Sequence, residues 1–171
     1  MGISPAVGDQ HRITATPVDD PVSAVLLRTY VDEVASRYYG RQATTEEIDR
    51  ALAEDPSDDL RPPHGAFLVG WDGDTSVGCV AVRLLSPEIA EIKRMYVAPR
   101  VRGLGWGGRL LVAVEEHARS LGASLLRLDT RADLVEARGL YAKHGFAEIP
   151  PYARRKYADH WFEKRIAAGQ F

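Results

Sequence analysis

The segment VAPRVRGLGWGGRLL, Val97–Leu111, constrains this chain more than any other. Before it stands IAEIKRMYV, which alternates with the period of a strand; after it Leu110, Val114, Ala118 and Leu121 recur with the period of a helix. A glycine-rich turn between a strand and a helix start is an anion site. The first N–H groups of the helix lack intrahelical partners, the helix end carries roughly half a positive charge, and glycines let the backbone approach phosphate oxygens. Charge agrees: Lys93, Arg94, Arg100, Arg102 and Arg109 face one acid, Glu91, in a chain of net charge −2. Two templates overlap here. Arg100, Gly103 and Gly105 fit R-x-x-G-x-G, while Gly103, Gly105 and Gly108 fit the dinucleotide pattern G-x-G-x-x-G. A P-loop does not fit, because Arg109-Leu110 follow Gly108 where Lys and Ser or Thr are required.

The rest of the chain decides between templates. HRITATPV reads as a short strand. Asp20-Pro21 opens a helix with an apolar stripe at Leu27, Tyr30, Val31, Val34 and Tyr38, closed by Gly40. Thr44 and Glu47 form a capping box for a second helix, to about Glu54. AFLVGW, SVGCVAVRLL and IAEIKRMYV follow as strands joined by short turns, an antiparallel meander. After the glycine loop come a helix to Leu121, the strand SLLRLDT, a helix from Leu134 to His144, and the strands FAEI and HWFEKRI. The predicted fold is α/β (α+β): a mixed, mostly antiparallel twisted sheet of about 6–7 strands flanked by about 4 helices. Residues 1–10 are expected to form a flexible tail and 11–171 one domain.

The dinucleotide pattern has support, since Asp129 ends the next strand about 20 residues on, where a ribose-binding acid belongs. Against it, Pro99 to Arg102 separate the strand from the first glycine, few residues remain for further parallel units, and the preceding strands form a meander. A dinucleotide-binding oxidoreductase is the remote alternative.

EIKRMYVAPRVRGLGWGGRLL, followed by EARGLYAKHGF, resembles the GNAT (GCN5-related N-acetyltransferase) family. The specific motifs span Ile89 to Phe146, and the predicted elements match from about Arg12 to Ile166. The resemblance implies that backbone groups of Met95, Tyr96 and Val97 hold a pantetheine arm. It also implies that the amides of Arg102, Gly103, Leu104, Gly105, Trp106 and Gly107 grip the pyrophosphate of acetyl-CoA as co-substrate. Leu104 and Trp106 would cover the cofactor or pack on the sheet. Tyr141 matches the tyrosine that protonates the leaving thiolate. Glu91 lies where some members place a catalytic base; the alternative is an ion pair with a neighbouring-strand cation such as Arg83. Many members carry Asn where this chain has Leu134, beside Asp133.

The implied activity is N-acetyl transfer from acetyl-CoA to a primary amine by direct attack in a ternary complex, with a small-molecule amine favoured. Acceptor walls would come from Tyr30, Tyr38, Tyr39, Trp161 and the loop PPYARRKYADH, with Asp32, Glu33, Glu46 and Glu47 lending negative charge. The alternative is a non-catalytic acyl-CoA-binding sensor, which needs no acid. Net charge −2 implies no nucleic-acid surface, no apolar run reaches the roughly 20 residues of a membrane helix, and one cysteine, Cys79, allows no internal disulfide. His117, His144 and Cys79 read as structural, and no spacing suggests a metal. A cytoplasmic monomer or homodimer is expected.

Overall fold

A computed structural model describes residues 10–167. The expected tail, residue 10 apart, lies outside the described residues. The elements run β1 (His11–Ala15), α1 (Pro21–Tyr39), α2 (Thr45–Glu54), β2 (Gly65–Asp72), β3 (Thr75–Ser86), β4 (Ile89–Val97), α3 (Trp106–Ser120), β5 (Leu125–Thr130), α4 (Val135–Lys143), β6 (Ala147–Ile149) and β7 (His160–Arg165). Local chemistry sets the helix ends. The Asp20 side chain accepts from Val22 N–H, Gly40 takes the left-handed conformation that closes α1, and Thr44 and Glu47 bond reciprocally at the start of α2.

The strands form one seven-stranded sheet in the order β1-β2-β3-β4-β5-β7-β6. Only β4 and β5 run parallel, joined through α3; the other neighbours are antiparallel. A single parallel crossover is not the doubly wound sheet of dinucleotide enzymes. Pro99–Val101, which interrupt that template, form a single 3-10 turn.

The two faces of the sheet differ. Val82, Ala90, Ile92, Leu126, Leu128 and Phe162 point to one face and pack against Leu110, Leu111 and Val114 of α3 and Tyr141 of α4. On the other face Phe67, Val69, Cys79 and Ala81 pack under Leu26 and Leu27 of α1. That apolar layer ends at the centre of the sheet. There the alternating partners Arg83, Glu91, Arg127 and Glu163 are charged. The α1 stripe is narrower than its sequence suggests: Ser23, Leu26, Leu27 and Val31 are buried, whereas Tyr38 is 54% exposed.

Candidate active site

The site follows from where two strands part. β4 and β5 pair only at Ile89–Leu125, Ala90–Leu126 and Glu91–Arg127. Beyond Glu91 they diverge. The cause lies in β4: Arg94 adopts φ 59°, and the register with β3 shifts between Cys79 and Ala81. A bulge bends the strand that carries it. Cys79 donates its thiol to the Arg94 carbonyl at 3.2 Å, and burial pushes that thiol up to about 12, so it stays protonated.

At the far end of the opening the chain turns through the glycine loop into α3. Gly103 and Gly105 have φ of 80° and 87°, and a Cβ at either would meet nothing within 4 Å. These glycines serve conformation rather than packing, and the space around them is open. Gly105 is the N-cap of α3 and supplies no side-chain cap, so the first N–H groups of the helix are available to an anion. This arrangement fits a pyrophosphate.

The structure redistributes several residues that the sequence assigned to this loop. Trp106 is only 2% exposed: its indole packs on Gly70 of β2, so the side chain is core, while its N–H remains at the helix start. Leu104 is 64% exposed at the loop tip. Gly107 is a packing glycine, since a Cβ there would lie 2.8 Å from Leu140 of α4. The Val97 carbonyl already accepts from Arg102 Nε at 3.0 Å. Met95 and Val97 lie against the α3 side of the core, and Tyr96, paired with Cys79, against the α1 side.

The local cations are also committed. Arg102 reaches Glu33 of α1 at 2.6 and 2.7 Å, Arg100 donates to the Ser76 carbonyl, and Lys93 and Arg94 both bind Asp55 at the end of α2. The positive character of the loop therefore comes mainly from backbone dipoles. Within the expected acidic wall, Glu33 and Glu47 are paired with arginines, Arg102 and Arg41, while Asp32 is hydrogen-bonded to neutral groups, Ser36 and Gln42.

Tyr141 comes from α4 and is 5% exposed, with Phe146 and Phe162 as ring neighbours. Among the described residues its hydroxyl has no hydrogen-bond partner. Burial raises its pKa, and the nearby Tyr30 and Asp129 raise it further. The phenol is thus a protonated donor without an internal acceptor. Tyr30 approaches from α1, on the opposite side of the sheet, and its hydroxyl is likewise pushed up, first by burial. Across the opening between β4 and β5 the Tyr30 phenol is near enough to raise Tyr141.

Glu91 is fully buried and both of its oxygens are engaged. Arg83 donates to Oε1 at 3.1 and 2.9 Å; Tyr152 donates to Oε2 at 2.8 Å, and Arg155 Nη1 lies 2.7 Å from the same oxygen. Burial alone would push its pKa up, but the bonds from Arg155 and Tyr152 and the charge of Arg83 hold it below the usual carboxylate range. The ion pair with Arg83 weighed against the base assignment is the arrangement found. Sequence reasoning missed Arg155 and Tyr152, whose contacts with Glu91 reach across α3, β5, α4 and β6. It placed their loop at the acceptor wall, but nothing in its pattern marked these two residues.

The missing Asn has a local consequence. Leu134 is the N-cap of α4 and makes no side-chain cap bond, and Asp133 is turned to Arg131 at 2.7–2.8 Å. Among the described residues no group of His, Cys, Asp or Glu is arranged to hold a metal, and no helix is long and apolar enough to cross a membrane.

The model of the acetyltransferase (GNAT) family matches residues 28–146. An uncharacterized N-acetyltransferase of Schizosaccharomyces pombe is 37% identical over 130 residues, 75% of this chain and 76% of that protein. An aminoglycoside N(6')-acetyltransferase type 1 of Serratia marcescens is 36% identical over 95 residues, 51% of this chain and 65% of that one. The crystal structure of PaiA N-acetyltransferase from Thermoplasma acidophilum, solved with coenzyme A, shares the fold. Its TM-score is 0.70 at 19% identity, covering 91% of this chain and 99% of that one.

Proposed function

The chain belongs to the GNAT acetyltransferase family, and from that premise we propose that it moves the acetyl group of acetyl-CoA to the primary amine of a small molecule by direct attack in a ternary complex. The carrying observation is the parting of β4 and β5 after Glu91, with the uncapped N-terminus of α3 following β4 and the Tyr141 hydroxyl of α4 left without a hydrogen-bond partner among the described residues. Acetyl-CoA, the co-substrate of this family, supplies an activated acyl carbon and a thiolate leaving group.

The chain's own residues do the rest. The amides of Arg102 to Gly107 bind the pyrophosphate, Leu104 covers it, and the backbone of Met95 and Tyr96 borders the pantetheine arm. The Tyr141 hydroxyl holds a proton at the sulfur. An ordinary phenol is already a weaker acid than a thiol by about 1.5 units, and burial widens the gap. Tyr141 therefore acts as a hydrogen bond that strengthens as charge develops, a preorganised donor in a dry site. The favoured small acceptor rests on the similarity to the aminoglycoside enzyme and on the cluster of charged side chains at the proposed acceptor end. Glu91, with both oxygens engaged, holds the site's geometry instead of taking a proton.

Calorimetric titration with acetyl-CoA, with NADH as control, tests the cofactor assignment: saturable binding of acetyl-CoA alone is expected, and binding of NADH alone would refute it. Tyr141→Phe should lower kcat by about 10²-fold, within the range for a lost general acid, while the Kd for acetyl-CoA stays within about twofold. Equal losses in both would end the acid role. A sensor that binds acetyl-CoA but acetylates no amine would leave kcat at background in both proteins.

A further inference from the structure

Asp129 is the acid that the dinucleotide pattern singled out and that acyl transfer leaves without a role. It sits on β5 on the charged face of the sheet, past the last β4–β5 pair, opposite Trp161 of β7. Granting the acyltransfer reading, we infer that Asp129 is the carboxylate that anchors the acceptor's ammonium and receives its proton.

Charge distribution singles it out. Arg155 Nη1 lies between Glu91 Oε2 and Asp129 Oδ2 and bonds to both. Glu91 has a second cation, Arg83, and a phenol, Tyr152, besides. Asp129 has only its share of Arg155, and among the described residues its Oδ1 has no hydrogen-bond partner. The uncompensated negative charge of the pair therefore rests on Asp129, at an oxygen free to accept.

Position agrees. Asp129 stands on the stretch of β5 that has parted from β4, and its charge raises both Tyr141 and Tyr30. The groups facing it are Arg155 and Tyr152 from the loop before β7, Glu91 and Lys93 from β4, Tyr30 from α1 and Tyr141 from α4. Burial, first, and the like charge of Glu91 raise its carboxyl above the usual range, while Arg155 and Lys93 pull it down. A raised carboxyl is the better proton acceptor of the two. Beside it the Trp161 indole is buried with its N–H unpartnered among the described residues, a ready local reporter.

The step balances. One N–H bond of the ammonium breaks, its proton goes to Asp129 Oδ1, and the electron pair stays on nitrogen. That pair forms the new N–C bond as the C–S bond breaks with its electrons on sulfur. The thiolate leaves hydrogen-bonded to the Tyr141 hydroxyl, which keeps its hydrogen, and a second nitrogen proton passes to water. The third hydrogen stays on the amide, and Asp129 returns its proton to water. Freeing an amine of pKa near 10.4 at pH 7 costs about 4–5 kcal/mol, which gives a nearby carboxylate its purpose.

The experiment uses the full chain with acetyl-CoA and two probe amines, spermidine and kanamycin. Asp129→Asn should lower kcat/KM for a probe that reacts by about 10²-fold, with acetyl-CoA affinity within about twofold, and should remove the acid limb of the pH profile. Glu91→Gln should keep that limb and move it to lower pH. Loss of less than about threefold in Asp129→Asn, or an acid limb that survives, overturns the assignment while leaving acyl transfer standing. A second readout needs neither turnover nor the variant's stability. In wild type, the ¹³Cγ signal of Asp129 should titrate above those of the exposed aspartates and move to lower pH with probe amine, with a shift of the Trp161 indole N–H. Ordinary titration unmoved by either amine overturns the inference. Absence of acetyl-CoA binding refutes the proposed function instead, and the carboxyl titration is judged separately.

Discussion

The proposed cofactor end and the proposed acceptor end of the site are built from different materials. The cofactor end is backbone: one stretch from β4 to the start of α3, two left-handed glycines and a helix terminus, with its cations drawn off into pairs with Glu33 and Asp55. The acceptor end is side chain: Glu91, Asp129, Arg83, Arg155 and Tyr152 meet from β3, β4, β5 and the loop before β7. Backbone donors cost little to preserve, because any residue that permits the φ angles keeps them. A charge network depends on every member, since a buried ion that loses its partner keeps its desolvation penalty.

The largest expected effect breaks the acceptor end alone. Glu91→Ala takes away the carboxylate shared by Arg83, Arg155 and Tyr152, leaving Arg83 to Asp59 and Arg155 to Asp129, and should cost about 3 kcal/mol of stability, read from urea midpoints. Acetyl-CoA affinity of the folded fraction should stay within about twofold. A loss below about 1 kcal/mol would mean that the network is a set of independent surface pairs.

Gly105→Ala strikes the cofactor end. A side chain at φ 87° costs roughly 1–2 kcal/mol, with no clash to add to it. Acetyl-CoA should bind about 10-fold more weakly, equivalent to about 1.4 kcal/mol, while the pH profile of turnover keeps its shape. A changed profile would show that the two ends are coupled.

pH sharpens the contrast within the acceptor end. Glu91 is held below its unfolded value of about 4.3, so its stabilisation is full above that pH and is lost as pH falls through the folded value. Asp129 lies above its unfolded value of about 3.9, so its contribution has the opposite sign: stability is lost as pH rises from there through the folded value. Urea midpoints measured from pH 3 to 7 should therefore fall less steeply with acid in Glu91→Gln than in wild type. Asp129→Asn should remove the opposing component and steepen the acid loss. Parallel curves for both variants would refute the division of roles.

The smallest effect is a gain. Leu134→Asn restores a capping side chain at the start of α4 and should add about 0.5–1 kcal/mol, with Tyr141-dependent turnover unchanged. No gain would mean that the Leu134 backbone, at φ −88° and ψ 61°, does not present a cap to the helix.

Much of this was legible beforehand where the signal is local. Asp20, Gly40 and the Thr44–Glu47 box set helix ends, and glycine spacing marked the left-handed turn at the start of α3, because capping and backbone conformation act within a few residues. The packing roles of the Trp106 side chain and of Gly107 were not settled in the sequence for the opposite reason. Their jobs depend on Gly70 and Leu140, partners from β2 and α4. The cations near the loop looked like ligands for an anion because their own partners, Asp55 and Glu33, are far along the chain.

The sequence alone determined the order of elements, the glycine loop at the start of α3, and Tyr141 at a recognisable place after it, since each rests on periodicity or on chemistry between near neighbours. Tertiary structure alone decided which carboxylate is bound and which is left with charge. Glu91 and Asp129 look alike in a strand. Only the folded chain brings Arg83 and Tyr152 to the first and leaves the second sharing Arg155, because electrostatic pairing depends on distances of a few ångströms between residues that the sequence holds far apart.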